Sequence, residues 1–488
     1  MSCLPRRLPT FCFPVLLLSL VLPGFTPAAD ADDERAADPK PRVVVLTDIT
    51  NEPDDAMSLV RFLCYADLFD IEGLIATTSC WKRDRPSLGA VLELLDAYQA
   101  VYPNLRLHSP DYPSAEALRA VALAGVEGYG MEPAGDQLDN AAVDLIISIL
   151  EKDDPRPVWF SVWGGGNTLG AAVMKLQRER PDDAARLVAK IRGYEIALQD
   201  DAFAFIARHF PETKLISAQN LWRGISRTTP EFNRWPESWG GDDSLFDAAW
   251  IVEHVQRGHG ALGAAYPSAD YLWEGDTPAF LNLIPNGLHF PEQVHFGGWG
   301  GRFDPVRKKN VRSGTGNDTV DGLLDQHRDY ALFSDAADRW EWQGKQYENV
   351  YATVFRWRQD FQHDFAARID RCVRPFAEVN HAPRAVVGGD ASLGLIRIDA
   401  KPGGEITLDA AGSSDPDGDR LSYRWFHYPE PGSYRGKLSI EAADREGCIV
   451  RIPLDAGGKD LHLILRASDS GEPSLCGYRR VIVAVQSP

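Results

Sequence analysis

The chain has 488 residues, 44% apolar and 25% charged, the proportions of a folded globular protein rather than a disordered or membrane-embedded one. That length exceeds what one hydrophobic core usually supports, so two domains are expected. A net charge of −19 argues against nucleic-acid phosphate as a partner and suits acidic sites for a hard cation.

In chain order, Arg6 and Arg7 precede the apolar run FCFPVLLLSLVLPGF and the small residues TPAAD, the layout of a secretory signal over residues 1–29. Pro14 and Pro23 break the run, which is short for an anchor, and no later stretch is long and apolar enough to span a membrane. A secreted or periplasmic protein is therefore expected. Residues 30–40, rich in Asp and Ala, read as a disordered spacer. Removal of the signal leaves Cys64, Cys80, Cys372, Cys448 and Cys476, too scattered for a disulfide framework or a zinc site. Cys448 and Cys476 share one segment and could pair in an oxidising compartment.

From Arg42 the text alternates strand and helix: RVVVL, then DDAMSLVRFLCYA, IEGLIATTS, SLGAVLELLDAYQAVY, NAAVDLIISILEK, PVWFSVWG, NTLGAAVMKLQRE, GYEIALQ, DDAFAFIARHF and KLISA. The pattern predicts a mostly parallel sheet wrapped by helices, with ligands at the carboxyl ends of the strands. Residues 221–311 are rich in Gly, Trp and Pro and read as long ordered loops around one helix, TPAFLNLI. A single helix is expected over NVYATVFRWRQDFQHDFAARIDRCV, with Phe361, Phe365 and Ile369 on one face. Near Asn380 short alternating strands with turn signals begin. This divides the chain into an α/β domain, 41–379, and an all-β sandwich, 380–488, expected to fold alone.

The first strand runs into an unusual loop. Asp48, Asn51, Glu52, Asp54 and Asp55 crowd between an apolar strand and an apolar helix. Such carboxylates repel one another, and burial makes that worse. Either the loop is solvated or it surrounds a cation.

The motif VVVLTDITNEPDDAMSLVRFL followed by DIEGLIATTS resembles the opening of the nucleoside hydrolase fold, where the usual loop is Asp-x-Asp-Pro-Gly-x-Asp-Asp. With WGGGNTL, LQDDA, EGDTPAFLNLIPNGL, GGWGGRF, FRWRQDFQHDFAARID and SSDPDGDRLSYRW in order, the mature chain resembles secreted cellulose-binding proteins with a nucleoside-hydrolase-like domain and an Ig-like β-sandwich. The resemblance implies a Ca²⁺ held by Asp48, Asp55 and Asp276, completed by a carbonyl near Asn167 or Thr168. It implies that Asp48 is also the catalytic base and that Asp54 holds sugar hydroxyls. Asn51, Glu52, Asn167, Gln199 and Asp200 join the substrate-binding candidates. Three departures stand out: two extra residues between Asp48 and the Asp54–Asp55 pair, no Asn soon after ATT, and Gly275 where a His usually assists the leaving base. Glu274 is the candidate replacement acid.

Trp81, Trp273 and Trp299 lie in loops expected near the cleft, where indole faces stack on sugar rings or anchor the loop. In the sandwich, Asp415, Asp417 and Asp419 fit turn chemistry better than an EF-hand, because the glycine is misplaced. Trp425 is expected in the core, which leaves Tyr434, in the PEPGSYRG turn, as the candidate sugar contact. Three functions are open: a calcium-dependent hydrolase of furanosyl or related bonds in extracellular glycans; a non-catalytic protein that binds polysaccharide through the same cleft, the sandwich or both; and a scaffold for cell-surface assembly, which rests only on the sandwich.

Overall fold

Five of the strand-like runs pair in register to build the sheet that the alternation predicts. A computed structural model describes residues 39–225, 239–268 and 274–487. The signal, most of the spacer and Trp273 lie outside the described residues. The strands are β1 (Arg42–Thr47), β2 (Asp70–Ala76), β3 (Ala122–Ala124), β4 (Val158–Val162), β5 (Ile191–Ile196), β6 (Lys214–Ala218), β7 (Lys308–Lys309) and β8 (Ala331–Ser334). They form one sheet in the order β3-β2-β1-β4-β5-β6-β8-β7, parallel except for the edge strand β7. Val43, Val44, Val45 and Leu46 are fully buried because helices cover both faces of β1, which is why the run lacks polar alternation. Strand order reverses between β1 and β4, and the carboxyl ends of strands beside such a switch point open a crevice for ligands.

The first helix, Asp54–Cys64, starts on the two acids, so Asp54 and Asp55 occupy its first turn. The single helix expected near the end of this domain is two, Ala352–Phe355 and Arg358–Asp370, with Trp357 as the junction. Phe361, Phe365 and Ile369 are fully buried, as their spacing implies. The loop region holds several short helices, Thr277–Leu281 among them.

A hairpin of β9 (Asp338–Trp342) and β10 (Lys345–Asn349) precedes the all-β part. There β11 (Ile396–Ala400), β12 (Glu405–Asp409), β13 (Ser422–His427), β14 (Ser439–Glu441), β15 (Gly447–Arg451), β16 (Asp460–Ser468) and β17 (Cys476–Val485) form sheets β11-β17-β16-β13 and β12-β15-β14. Trp425, Cys448, Val450, Leu463 and Val483 fill the space between them. Cys448 and Cys476 are free thiols on different sheets. The first packs inside the sandwich, whereas the second faces the α/β domain, so the pairing suggested by their shared segment does not form.

The outer face of the four-stranded sheet is covered along its central strands β16 and β17. Tyr428, Ile464, Cys476 and Tyr478 belong to the same apolar cluster as Phe361 and Trp299 of the α/β domain. Arg480 donates to the carbonyls of Leu288 (2.8 Å) and Gly297 (2.9 Å), and Arg466 pairs with Asp360. An isolated 380–488 segment would open this face to water.

Candidate active site and metal centre

Three carboxylates meet where the first helix begins. One oxygen each of Asp54, Asp55 and Asp276 lies within 4.8 Å of the other two, and all three residues are buried. Asp54 and Asp55 come from the first turn of helix Asp54–Cys64, and Asp276 immediately precedes helix Thr277–Leu281. Thr47, the last residue of β1, donates its hydroxyl to Asp55. Ser58 Oγ and Thr277 Oγ1 pair at 2.9 Å and tie the two helix starts together.

Asp48 stands beside this trio, 2% exposed, with Ser79 hydrogen-bonded to its carboxylate and Oδ2 buried without a hydrogen-bond partner. It leans on the backbone after β4: a Cβ on Gly164 would come 2.5 Å from Asp48 Oδ1, so this glycine of WGGGNT is needed for space. Asp276 Oδ2 is likewise buried and unpartnered.

Burial pushes all these acids upward. Asp48 rises to about 6, against the opposing pull of Ser79. Asp54 rises to about 7 through burial and then the charge of Asp48. Glu52, half-buried, reaches about 8 through burial and the charges of Asp54 and Asp48. Asp55 and Asp276 lie well above the carboxylate range for the same two reasons, burial first and their neighbours' charge second. Acidic oxygens stacked in a dry pocket, two of them without a donor, are a donor set that fits a hard dication. Asp54, which the resemblance gives as a sugar contact, offers an oxygen to the same cluster as Asp55 and Asp276.

The remaining candidates divide. Asn51 and Glu52 are half-buried at the pocket rim and bonded to each other. Asn167 is fully buried and spends its amide on Thr78 Oγ1 and the Gly128 carbonyl, each at 3.0 Å. Asp200 accepts from the Asn167 and Ala202 amides at 2.8 Å, so it links the starts of two helices. Gln199 Nε2 donates to the Trp163 carbonyl at 2.5 Å, while its Oε1 is buried and unpartnered. Asp201 accepts from Met131 N and contacts His327 Nε2 at 2.7 Å, a brace between loops.

Glu274 is 2% exposed and fully engaged: Arg61 Nε at 2.8 Å, Tyr266 OH at 2.6 Å and Thr277 Oγ1 at 3.0 Å. It fixes the turn before Asp276. At Gly275, a Cβ would come 2.8 Å from Asp54 Oδ2 and 3.3 Å from the Trp222 ring. The room that a leaving-group acid would use is thus taken by an indole edge and a carboxylate. Trp222 was invisible to motif reasoning because its position depends on a fold-back across more than fifty residues. Ser79 and Lys82 lie in SCWKRD, the stretch after ATT where the expected Asn is missing, and carry no motif of their own.

Of the tryptophans, Trp299 is buried in the core at 2% exposure, while Trp81 is 49% exposed. In the sandwich, Asp415 Oδ1 accepts from the amides of Asp417 and Asp419, which is turn chemistry. Trp425 is core, as expected. Tyr434 is also core, 3% exposed with its hydroxyl on Asp455 Oδ1 at 3.0 Å, so its place in a turn does not make it a free sugar contact.

Residues 42–303 match the family described as cellulose-binding Sde182, nucleoside hydrolase-like domain, and residues 405–485 match cellulose-binding protein Sde0182, C-terminal domain. Among solved structures, the chain is similar to a nucleoside hydrolase-related hypothetical protein from Saccharophagus degradans, described as associated with carbohydrate metabolism. Identity is 38%, coverage 92% of this chain and 100% of that one, and the TM-score 0.79. The PKD domain from KIAA 1837 protein (19% identity, 23% of this chain, 95% of that chain, TM-score 0.17) and the effector protein XOO4466 (13%, 69%, 95%, 0.30) match too weakly to bear on the fold. No curated protein matches.

Proposed function

The chain belongs to the cellulose-binding Sde182 family, and from that premise we propose that it is a secreted or periplasmic, calcium-dependent glycoside hydrolase acting on a polysaccharide. The observation that carries the reading is the buried trio Asp54, Asp55 and Asp276, with Asp48 alongside. These four residues would hold the cation. When bound, Ca²⁺ offsets their mutual repulsion and supplies Lewis-acid polarisation of a hydrolytic water. Asp48, with its unpartnered Oδ2, takes the water's proton at its carboxylate. Asn51 and Glu52, at the rim, orient sugar hydroxyls, and those contacts tighten as charge develops on the ring.

A second reading, polysaccharide binding without turnover, is favoured by Glu274. With its carboxylate committed to Arg61, Tyr266 and Thr277, and with Gly275 beside it, no acid in these two positions is placed to protonate a leaving group.

One experiment separates them. The mature protein is incubated with cellulosic and other glucans and with nucleosides, in Ca²⁺ or in chelator, beside Asp55→Asn. The hydrolase reading expects reducing sugar from a glycan, abolished by chelator and by the variant. Retention on glycan with no release, in Ca²⁺, overturns it in favour of binding. Nucleosides are expected to be poor substrates, and inosine or uridine turnover of about 1 per second or faster would refute the leaving-group argument at Gly275.

A further inference from the structure

Chain segment 79–87 follows the end of β2 and borders the acid pocket. Ser79 Oγ, whose other partner is Asp48, accepts from the amides of Trp81 and Lys82, each at 3.1 Å, closing a tight turn. Lys82 Nζ reaches Thr50 Oγ1 at 2.8 Å, and Ser87 Oγ pairs with the same hydroxyl at 2.9 Å. Thr50 has φ of 85°, a conformation that a β-branched residue adopts only under constraint. The strained tip of the acidic loop is thus bonded twice to this segment. From the other side, Arg83 donates to the Cys80 carbonyl at 2.9 Å and to Thr319 Oγ1 at 2.5 Å, and its guanidinium lies 4.8 Å from the Tyr129 ring centroid.

The segment is therefore braced against three parts of the domain. Cys80 is buried, yet the next side chain, Trp81, is left half in water at 49%. It has the largest exposure of any tryptophan among the described residues and no aromatic neighbour there. A tryptophan held by a rigid turn, half-exposed and two residues from a serine that touches the pocket, is suited to meet something flat and apolar. A β-linked glucose ring offers such a surface in its C–H face. The sandwich offers no comparable site in Trp425 or Tyr434, both buried.

We propose that Trp81 is the stacking platform on which a cellulose-type β-1,4-glucan rests at the mouth of the acid pocket. Thr50, Lys82 and Ser87 hold that platform at a fixed position relative to Asp48. The inference rests on the polysaccharide reading above and adds to it the part of the molecule that grips the chain.

The test uses the full mature protein in three forms, wild type, Trp81→Ala and Trp81→Tyr, partitioned on insoluble cellulose in Ca²⁺, with thermal melts alongside. Wild type should be retained, Trp81→Ala should partition at least about tenfold more weakly with an unchanged melt, and Trp81→Tyr should stay within about threefold of wild type. If the Ala variant melts early, the Tyr variant decides, because it keeps a ring face: retention supports the platform and loss overturns it. Wild type retained with the Ala variant unchanged overturns the platform alone. Wild type that fails to bind overturns the polysaccharide reading itself, and the platform with it.

Discussion

Two regions of this protein bury aspartates to a similar depth and treat them in opposite ways. At the seam between domains, Asp338 is fully buried and receives Arg302 Nε at 2.6 Å, Arg356 Nη1 at 2.9 Å and Tyr428 OH at 2.7 Å. Burial pushes its pKa up, but Arg356, Arg302 and Tyr428 outweigh it and hold it below the usual carboxylate range. In the pocket, Asp54, Asp55 and Asp276 have one another instead, and burial plus like charge drive them upward. Charge compensated by the chain itself belongs to stability, whereas charge left uncompensated marks a place reserved for a ligand.

The largest effect that could break this contrast is at the seam. Arg302→Ala strips one partner from a buried carboxylate and should cost about 3–5 kcal/mol in urea denaturation, because a charge without its full set of partners is left in a dry place. A loss under about 1 kcal/mol would mean that the seam is wet and the comparison false.

A smaller effect of opposite sign is expected in the pocket. In chelator, Asp55→Asn should raise stability by about 1–2 kcal/mol, since it removes one of the mutually repelling acids while the amide oxygen can still accept from Thr47. In Ca²⁺ the ranking should reverse, wild type melting higher, because only it gains the full stabilisation of a bound ligand. An Asn variant less stable than wild type in both conditions would remove the case for a cation.

The third effect is a slope with pH. Asp48, Asp54 and Glu52, at about 6, 7 and 8, keep protons in the folded chain that the unfolded chain has released above about pH 4. The folded state then binds more protons, so metal-free stability should fall as pH rises from about 4 to 8. Asp338, held low, contributes in the reverse sense: its stabilisation is present above the ordinary carboxylate pKa and is lost only as pH falls below it. Melts in chelator from pH 4 to 8 check the first slope. Calcium should flatten it, and a slope equally steep with and without calcium would separate the titrating acids from the proposed ion.

The parts legible in the sequence were those set by local spacing. The apolar run of β1 and the acids after it announce a strand end and a charged pocket within a dozen residues, whereas the late aspartate of EGDTPAF is reached only through the family resemblance. The parts that were not legible depend on distant pairings. Cys448 and Cys476 are close in sequence, but the sheet order places them on different sheets. Tyr434 sits in a turn, yet packing against the sandwich core decides its burial. Asn167 spends its side-chain amide on Thr78 and Gly128, and Asp200 joins two helix starts, partnerships that sequence position does not show.

The covered outer face of β16 and β17 has a consequence for how such a protein would behave on a solid glycan. Carbohydrate modules on flexible tethers explore a surface independently, and their linker sets an effective concentration for the second contact. Here Val379, His381 and Ala385 are buried where a tether would run, and Arg480 bonds the two halves directly. No slack exists for a search. Any two contact patches on this body would engage a fibre only where its surface repeat matches their fixed spacing, which makes binding a test of crystalline order as much as of sugar identity.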